Sequence, residues 1–367
     1  VKRLLLIGGG HAHLFVLREL LRRRPRDLEV MLVTPYERQL YSGMLPGWIA
    51  GHYALDEIAV PLRPLAQAAG VPLLTHRVVA LDVNARRVRT APGLVLEYDI
   101  LSIAAGSDIA THGIEGAQQW TLPLRPIENF VARWNALAPR VAEADQPQVT
   151  IIGAGAGGVE VSLAIAYAMR ASGNGTRVQL VTGGALLPGH SARARALVLQ
   201  ALARARVRVI DASALRVDSD HVDLRDGASL PSDVTLLVAG AAPPPWLAGG
   251  GLTLDAQGFV AVDRTLRSVS HENVFSAGDC ATMVGVPRPR SGVYAVRAGP
   301  PLADNLLRAA AGRSLRSHFP QRTALYLLAT GPQRAIGSWN GLSWSGDWVW
   351  RWKDRIDRAF LAQFRGA

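Results

Sequence analysis

Two glycine turns, each set between a hydrophobic strand and a helical stretch, constrain this chain more than any other feature. Residues 4–10, Leu-Leu-Leu-Ile-Gly-Gly-Gly, read as a buried strand entering a turn, followed by a helical pattern through Arg24 and a second strand at Val30–Thr34. That is a βαβ unit. In such a unit the first glycine permits the tight turn, the second lets backbone approach a pyrophosphate, and the helix N-terminus supplies N–H groups and a favourable dipole. Gly8 and Gly10 fill these two roles. The third glycine position holds His13, which predicts a helix set farther from its strand than usual.

The pattern returns at Val149–Ile152, followed by Gly153-Ala-Gly155-Ala-Gly157-Gly158, a helical stretch and a strand at Arg177–Val181. Here Gly153, Gly155 and Gly158 fill all three positions. Each unit is then closed by a similar segment, Ile103-Ala104-Ala105-Gly106 and Leu237-Val238-Ala239-Gly240, so the chain reads as internally duplicated. A third segment, Asn273 to Asp279, is a short strand ending in Gly278-Asp279. A carboxylate at a strand end can accept hydrogen bonds from ligand hydroxyls, and the glycine before it permits close backbone approach. Standing alone, Asp279 would read as a solvated turn residue.

Composition narrows the function classes. The 367 residues are 49% hydrophobic, enough for two domains with their own cores. A formal charge of +11 prompts a search for nucleic acid, but the cations are almost all arginines, scattered along the chain, and Lys2 and Lys353 are the only lysines. No nucleic-acid-binding motif accompanies them, and a nucleic-acid partner is not expected. Cys280 is the only cysteine, which excludes an internal disulfide and a redox-active pair. No apolar run reaches membrane-spanning length and the chain starts directly in a strand, so a cytoplasmic location is expected.

Taken together, these segments resemble the pyridine nucleotide-disulfide oxidoreductase superfamily of flavoproteins, over essentially the whole chain. Tyr41 to Gly47, Gly51-His52-Tyr53 and Gly278 to Val284 look like the flavoprotein domain fused in front of selenide, water dikinase; Gly157-Gly-Val-Glu160 and the tail look like type II NADH dehydrogenases. The resemblance implies an α/β fold of two Rossmann-like units, with an NAD(P)H domain inserted in an FAD domain. It places FAD against Gly8, Gly10, Ala105, Gly106 and Asp279, and NAD(H) or NADP(H) against Gly153, Gly155 and Gly158. Ser42, Val79, Gly278, Gly292 and Val293 join the expected flavin contacts, and Gly240 the nucleotide contacts.

Some residues depart from the family pattern. The acidic residue expected at the end of each second strand, where adenosine ribose hydroxyls bind, is Thr34 in the first unit and Thr182 in the second. No arginine follows Thr182 to favour a 2′-phosphate. The glutamines that type II dehydrogenases carry near the quinone fall at Val293 and Arg297-Ala298. Without a cysteine pair, the expected chemistry is direct hydride transfer to flavin and release to a quinone or small acceptor. A flavoenzyme acting on a selenium or sulfur species, and a non-catalytic FAD/NAD(H) sensor, are the alternatives.

Two residues are candidates for catalysis. Glu160 matches a glutamate that lies near nicotinamide and flavin in the superfamily, and reads equally as a first-turn helix residue satisfying the dipole. Tyr41 opens a loop placed to reach the flavin ring. His11 and His13 open the first helix, where packing and phosphate-side contacts are preferred to catalysis; no metal site is expected, since no third ligand accompanies them. In the tail, Trp352, Ile356, Phe360 and Phe364 make an apolar stripe with Arg351, Lys353, Arg355 and Arg358 off it. Such a helix suits a membrane surface, putting the protein peripherally on the cytoplasmic face, and suits equally a cap on the FAD domain or a homodimer seam. The expected divisions are 1–115 and 255–335 for the FAD domain, 116–254 for the NAD(P)H domain and 336–367 for the aromatic tail.

Overall fold

The computed structural model describes residues 1–365. Two five-stranded parallel sheets organise it. The first runs in the order Val274–Ser276, Ile100–Ile103, Lys2–Ile7, Leu28–Val33, Leu73–Leu74. The second runs Thr121–Pro123, Val234–Leu237, Gln148–Ile152, Arg177–Val181, Arg208–Ile210. In each, the strand that precedes the glycine turn is central and covered on both faces, which is why it reads as an uninterrupted apolar run. Leu4 to Ile7 and Val149 to Ile152 are all buried.

The duplication goes deeper than the glycine motifs. Between its third strand and its closing strand, each unit carries a three-stranded antiparallel meander, Val78–Asp82, Arg87–Thr90 and Val95–Glu97 in one, Ala214–Val217, His221–Leu224 and Ser229–Pro231 in the other. The outermost strand differs. The first sheet takes Val274–Ser276 from chain that follows the second sheet, whereas the second takes Thr121–Pro123 from chain just entering it. The first sheet is therefore completed only after the second has been inserted. The two crossings run side by side, with Asp108–Ile109 paired antiparallel to Ala241–Ala242. Beyond the return crossing, Leu247 and Leu252 pack with Leu5, Ile7 and Val33 behind the first sheet.

The tail is a three-stranded antiparallel sheet, Tyr326–Ala329, Ala335–Trp339 and Leu342–Gly346, followed by the helix Asp347–Ala362. It clamps both units. Tyr53 donates to Asp354 at 2.7 Å and Arg358 meets Glu57 at 3.1 Å on the first unit, while Ser338 lies 3.1 Å from His190 and Ser343 lies 3.0 Å from Ser191 on the second.

The single apolar stripe expected along the tail helix is corrected. Phe360 and Phe364 are buried against Phe15, but Trp352 and Ile356 are exposed. A four-residue step advances the side chain by about 40° around the helix, so three such steps carry it about 120° and onto a different face. The inward face of the helix is instead Val349, Lys353, Asp357 and Phe360, with Phe364 packing inward just past its end. Lys353, expected off the apolar stripe with the arginines, is buried, and Asp357 is buried beside it.

Candidate functional site

A cavity of about 480 Å³ opens at the C-terminal ends of the first sheet. Sequence-distant segments converge on it. Gly8, Gly10 and His11 come from the first turn, Ala105 and Gly106 from the end of the closing strand, and Gly278 and Asp279 from the end of the outermost strand. Thr34, Ser42, Val79 and Gly292 complete the set of expected residues found on its wall. The last of these begins the 19-residue helix Gly292–Ala310, whose unpaired N–H groups thus face the cavity. Val293 is not on the wall.

The glycines are required by backbone contact as well as by any ligand. A Cβ on Gly8 would lie 2.5 Å from the Ala104 carbonyl oxygen, and one on Gly10 would lie 2.4 Å from the same atom. The cradle is therefore made of bare backbone, as a pyrophosphate requires. On the cavity side, Asp279 pairs with Arg125 at 2.8 Å, and Arg125 also donates to the Ser107 hydroxyl at 2.6 Å. His11 Nε2 is buried with no hydrogen-bond partner. An orphaned polar atom, an arginine, a carboxylate and two helix N-termini around a glycine cradle fit a dinucleotide with hydroxyl and phosphate groups. Glu128, a half-buried carboxylate of the helix Ile127–Glu143, lines the same cavity and was not anticipated. Its only sequence signal is an acid in the first turn of an amphipathic helix.

His13 lies outside the cavity. Its ring is fully buried, with Nδ1 2.6 Å from the Gly8 carbonyl and Nε2 2.8 Å from the Ser102 hydroxyl. A carbonyl only accepts, so Nδ1 carries the proton and Nε2 accepts from Ser102. The imidazole thus occupies the space that the third glycine leaves in a tighter unit, tying helix to turn and to the neighbouring strand. The second unit has no such space: a Cβ on Gly158 would lie 2.0 Å from the Gly153 carbonyl oxygen.

Burial holds the pKa of both His11 and His13 down to about 4; for His11, Asp279 opposes this and Arg125 adds to it. A histidine kept neutral in the fold but free to charge when unfolded stabilises fully above about pH 6.5, and that stability is lost as pH falls toward 4. For His13 the loss is up to about 3 kcal/mol. In denaturant titrations, His13→Gln, which keeps two hydrogen-bonding groups and cannot titrate, should flatten the fall between those pH values. An unchanged slope would refute this account.

The two candidates for catalysis stand apart from the cavity wall and close to each other's partners. Glu160, on the helix Ala156–Arg170, accepts from the Ala329 N–H at 2.8 Å. Burial raises its carboxyl to about 7, with Asp357 pushing the same way, while the charge of Lys353 and the Ala329 N–H pull it down. Lys353 pairs with Asp357 at 2.6 Å and donates to the Gly43 carbonyl, one residue from Ser42 on the cavity wall. Tyr41 packs against Phe360 at 4.7 Å between centroids and near His11 at 5.5 Å. Burial and the negative charge of nearby Asp357 raise its hydroxyl far above the ordinary range. The buried Lys353 and Asp357 thus link the tail helix to both candidates. Their signal in the sequence was a Lys–Asp pair four residues apart in an otherwise arginine-rich tail.

In the second unit Gly153, Gly155 and Gly158 form the turn between the central strand and its helix, and Gly240 lines a cleft between the units with Gly157, Arg125 and Arg290. Thr182 is buried at the end of the strand Arg177–Val181, its hydroxyl 3.2 Å from Asp211 Oδ1. Cys280 is buried, which raises its thiol pKa. Among the described residues, no group of three or more His, Cys, Asp or Glu is placed to hold a metal ion, and no helix is long and apolar enough to cross a membrane.

Comparison with known proteins agrees with this geometry. The chain is 24% identical over 293 residues to the NADH dehydrogenase-like protein YutJ of Bacillus subtilis, covering 78% of this chain and 79% of that one. It is 24% identical over 321 residues to the alternative NAD(P)H-ubiquinone oxidoreductase C1 of Arabidopsis thaliana, spanning 77% of this chain but 62% of that one. Among solved structures, the sulfide:quinone oxidoreductase of Aquifex aeolicus superposes with a TM-score of 0.82 at 20% identity, covering 100% of this chain and 92% of that one. NDH2 of Plasmodium falciparum in complex with NADH gives a TM-score of 0.82 at 14% identity, covering 99% and 97%. Matching the pyridine nucleotide-disulphide oxidoreductase family over residues 2–299, the chain belongs to that family and is an oxidoreductase that uses FAD and a nicotinamide nucleotide.

Proposed function

We propose that this chain oxidises NAD(P)H at its second unit and delivers the electrons to a quinone that approaches from the side of the tail helix. FAD, when bound, supplies the hydride acceptor and the two-electron store. The observation that carries the reading is the cluster of half-buried Glu160 and Tyr41 with the buried Lys353 and Asp357, beside the loop that reaches the first cavity. Turning a quinone into a quinol takes two electrons and two protons. The hydride taken from NAD(P)H accounts for the two electrons and one of the protons; Glu160, poised near neutrality, can release the other at physiological pH, and the nearby Lys353 charge stabilises the carboxylate left behind. Gly8, Gly10 and the two helix N-termini would hold the pyrophosphate, and Asp279, paired through Oδ2 with Arg125, would accept from ligand hydroxyls. With Cys280 as the only cysteine, the path needs no protein disulfide.

The test is anaerobic mixing of flavin-loaded protein with NADH or NADPH, following absorbance at about 450 nm, then adding a water-soluble quinone. Rapid bleaching by nucleotide and recovery on quinone are expected. No bleaching by either nucleotide would refute the dehydrogenase, and bleaching without recovery would remove the quinone.

The tail also supports a membrane-surface reading. Trp344, Trp348 and Trp352 stack with centroids 6.4 Å apart, and Trp348, Trp352 and Ile356 are exposed along one helix face with Arg351 and Arg355 beside them. Exposed tryptophans flanked by arginines suit the headgroup region of an anionic bilayer. Replacing Trp348, Trp352 and Ile356 together by serine should lower sedimentation with anionic vesicles about tenfold. Unchanged sedimentation would refute the membrane contact; a halved solution mass would assign the face to a dimer seam.

A further inference from the structure

The second unit lacks a carboxylate at the end of its second strand, yet the fold brings one there from the strand beyond. The two units align closely at this point. In the first, the Thr34 N–H donates to the Leu74 carbonyl at 3.1 Å, and the next residue along is Thr75. In the second, the Thr182 N–H donates to the Ile210 carbonyl at 2.9 Å, and the next residue along is Asp211. Only the second unit has a carboxylate at this register. The hydroxyl of Thr182, itself buried, lies within donating distance of both Asp211 Oδ1 at 3.2 Å and the Ile210 carbonyl at 3.3 Å, and the Gly183 N–H donates to the Ala212 carbonyl at 3.0 Å. The segment that carries Asp211 is thereby tied across the C-terminal edge of the sheet, on the side of the complete glycine turn.

The chemistry of the position is that of a discriminator. A ribose 2′-hydroxyl donates to a carboxylate, whereas a 2′-phosphate brings two like charges against it. Arg225, whose N–H bonds the Ser213 carbonyl, turns its guanidinium to the Gly113 carbonyl at 3.2 Å, and so is engaged elsewhere. We infer that Asp211, oriented by Thr182, is the carboxylate that reads the adenosine ribose and makes this oxidoreductase select NADH over NADPH. The inference rests on the second unit being the nicotinamide nucleotide site.

Equilibrium binding of NADH and NADPH to the flavin-loaded protein, followed by calorimetry, tests it without reference to turnover. Asp211 is exposed, so Asp211→Asn should leave the fold intact. The unsubstituted protein should bind NADH at least about tenfold more tightly than NADPH, as one charge-assisted hydrogen bond allows. Asp211→Asn should weaken NADH about tenfold and bring the two affinities together, and Thr182→Val, which frees the carboxylate, should narrow the preference by less. If both nucleotides bind and Asp211→Asn leaves their ratio unchanged, or if NADPH is preferred from the start, the assignment of Asp211 is wrong. If neither nucleotide binds, the second unit is not a nicotinamide site and the underlying reading falls with it.

Discussion

Glu160→Gln should lower quinone-dependent turnover by about 100-fold or more while leaving the rate of flavin bleaching by nucleotide within about threefold. The amide keeps the size of the side chain and removes the proton. Because burial holds the Glu160 carboxyl near 7, turnover in the unsubstituted protein should fall as pH rises through about 7, where the donor form is lost. That limb should be missing in the variant. A second readout follows from linkage. A carboxyl raised in the folded state stabilises fully below the unfolded value near 4.5, and this stability is lost as pH rises through about 7. Denaturant titrations of Glu160→Gln should therefore lack this loss, so that the variant gains stability relative to the unsubstituted protein as pH rises from 4.5 to 7. If turnover and its pH limb are unaffected while that stability slope disappears, Glu160 is a structural acid and the proton-delivery role is refuted.

Lys353→Met should destabilise the protein by about 3 to 5 kcal/mol, because it leaves Asp357 buried without its cation. The two charges are 2.6 Å apart in a site from which water is excluded, and Lys353 also satisfies the Gly43 carbonyl. Removing both charges should cost much less: Lys353→Met with Asp357→Leu restores most of the lost stability, since no lone charge remains. The double variant leaves the Gly43 carbonyl without its Lys353 donor, so recovery should be incomplete. Thermal or urea unfolding of the two singles and the double completes the cycle. A single variant as stable as the parent would mean that the pair is hydrated in solution. Turnover offers an independent check, because Lys353 pulls the Glu160 pKa down, and its loss should move the pH limb upward.

The sequence was most legible where local geometry and chemistry coincide. Gly8, Gly10, Gly153 and Gly158 each sit where backbone closely approaches backbone and a Cβ would clash, so the letters themselves report the turn. Thr182 leaves its strand end without a carboxyl, but the acid beside it lies 29 residues further on, just past the end of the neighbouring strand, and sheet register alone brings them together. His13 departs visibly from the glycine pattern. Its two partners, Gly8 and Ser102, become visible only when the closing strand is placed beside the turn. The tail misled for a different reason. Helical periodicity identifies an apolar face only while the helix has a single environment, and this helix has a packed side and an open side, with the Lys353–Asp357 pair on the packed one.

By itself the sequence determined the two βαβ units, their duplication, the glycine cradle and the absence of a protein disulfide, because each depends on residues close in the chain or on composition. Tertiary structure alone decided which carboxylates and cations are buried and what they face. Burial comes from elements meeting across long sequence separations, as Glu160 meets the tail helix nearly two hundred residues later. Removal from water is what turns an ordinary glutamate into an acid poised near pH 7, and no local pattern carries that information.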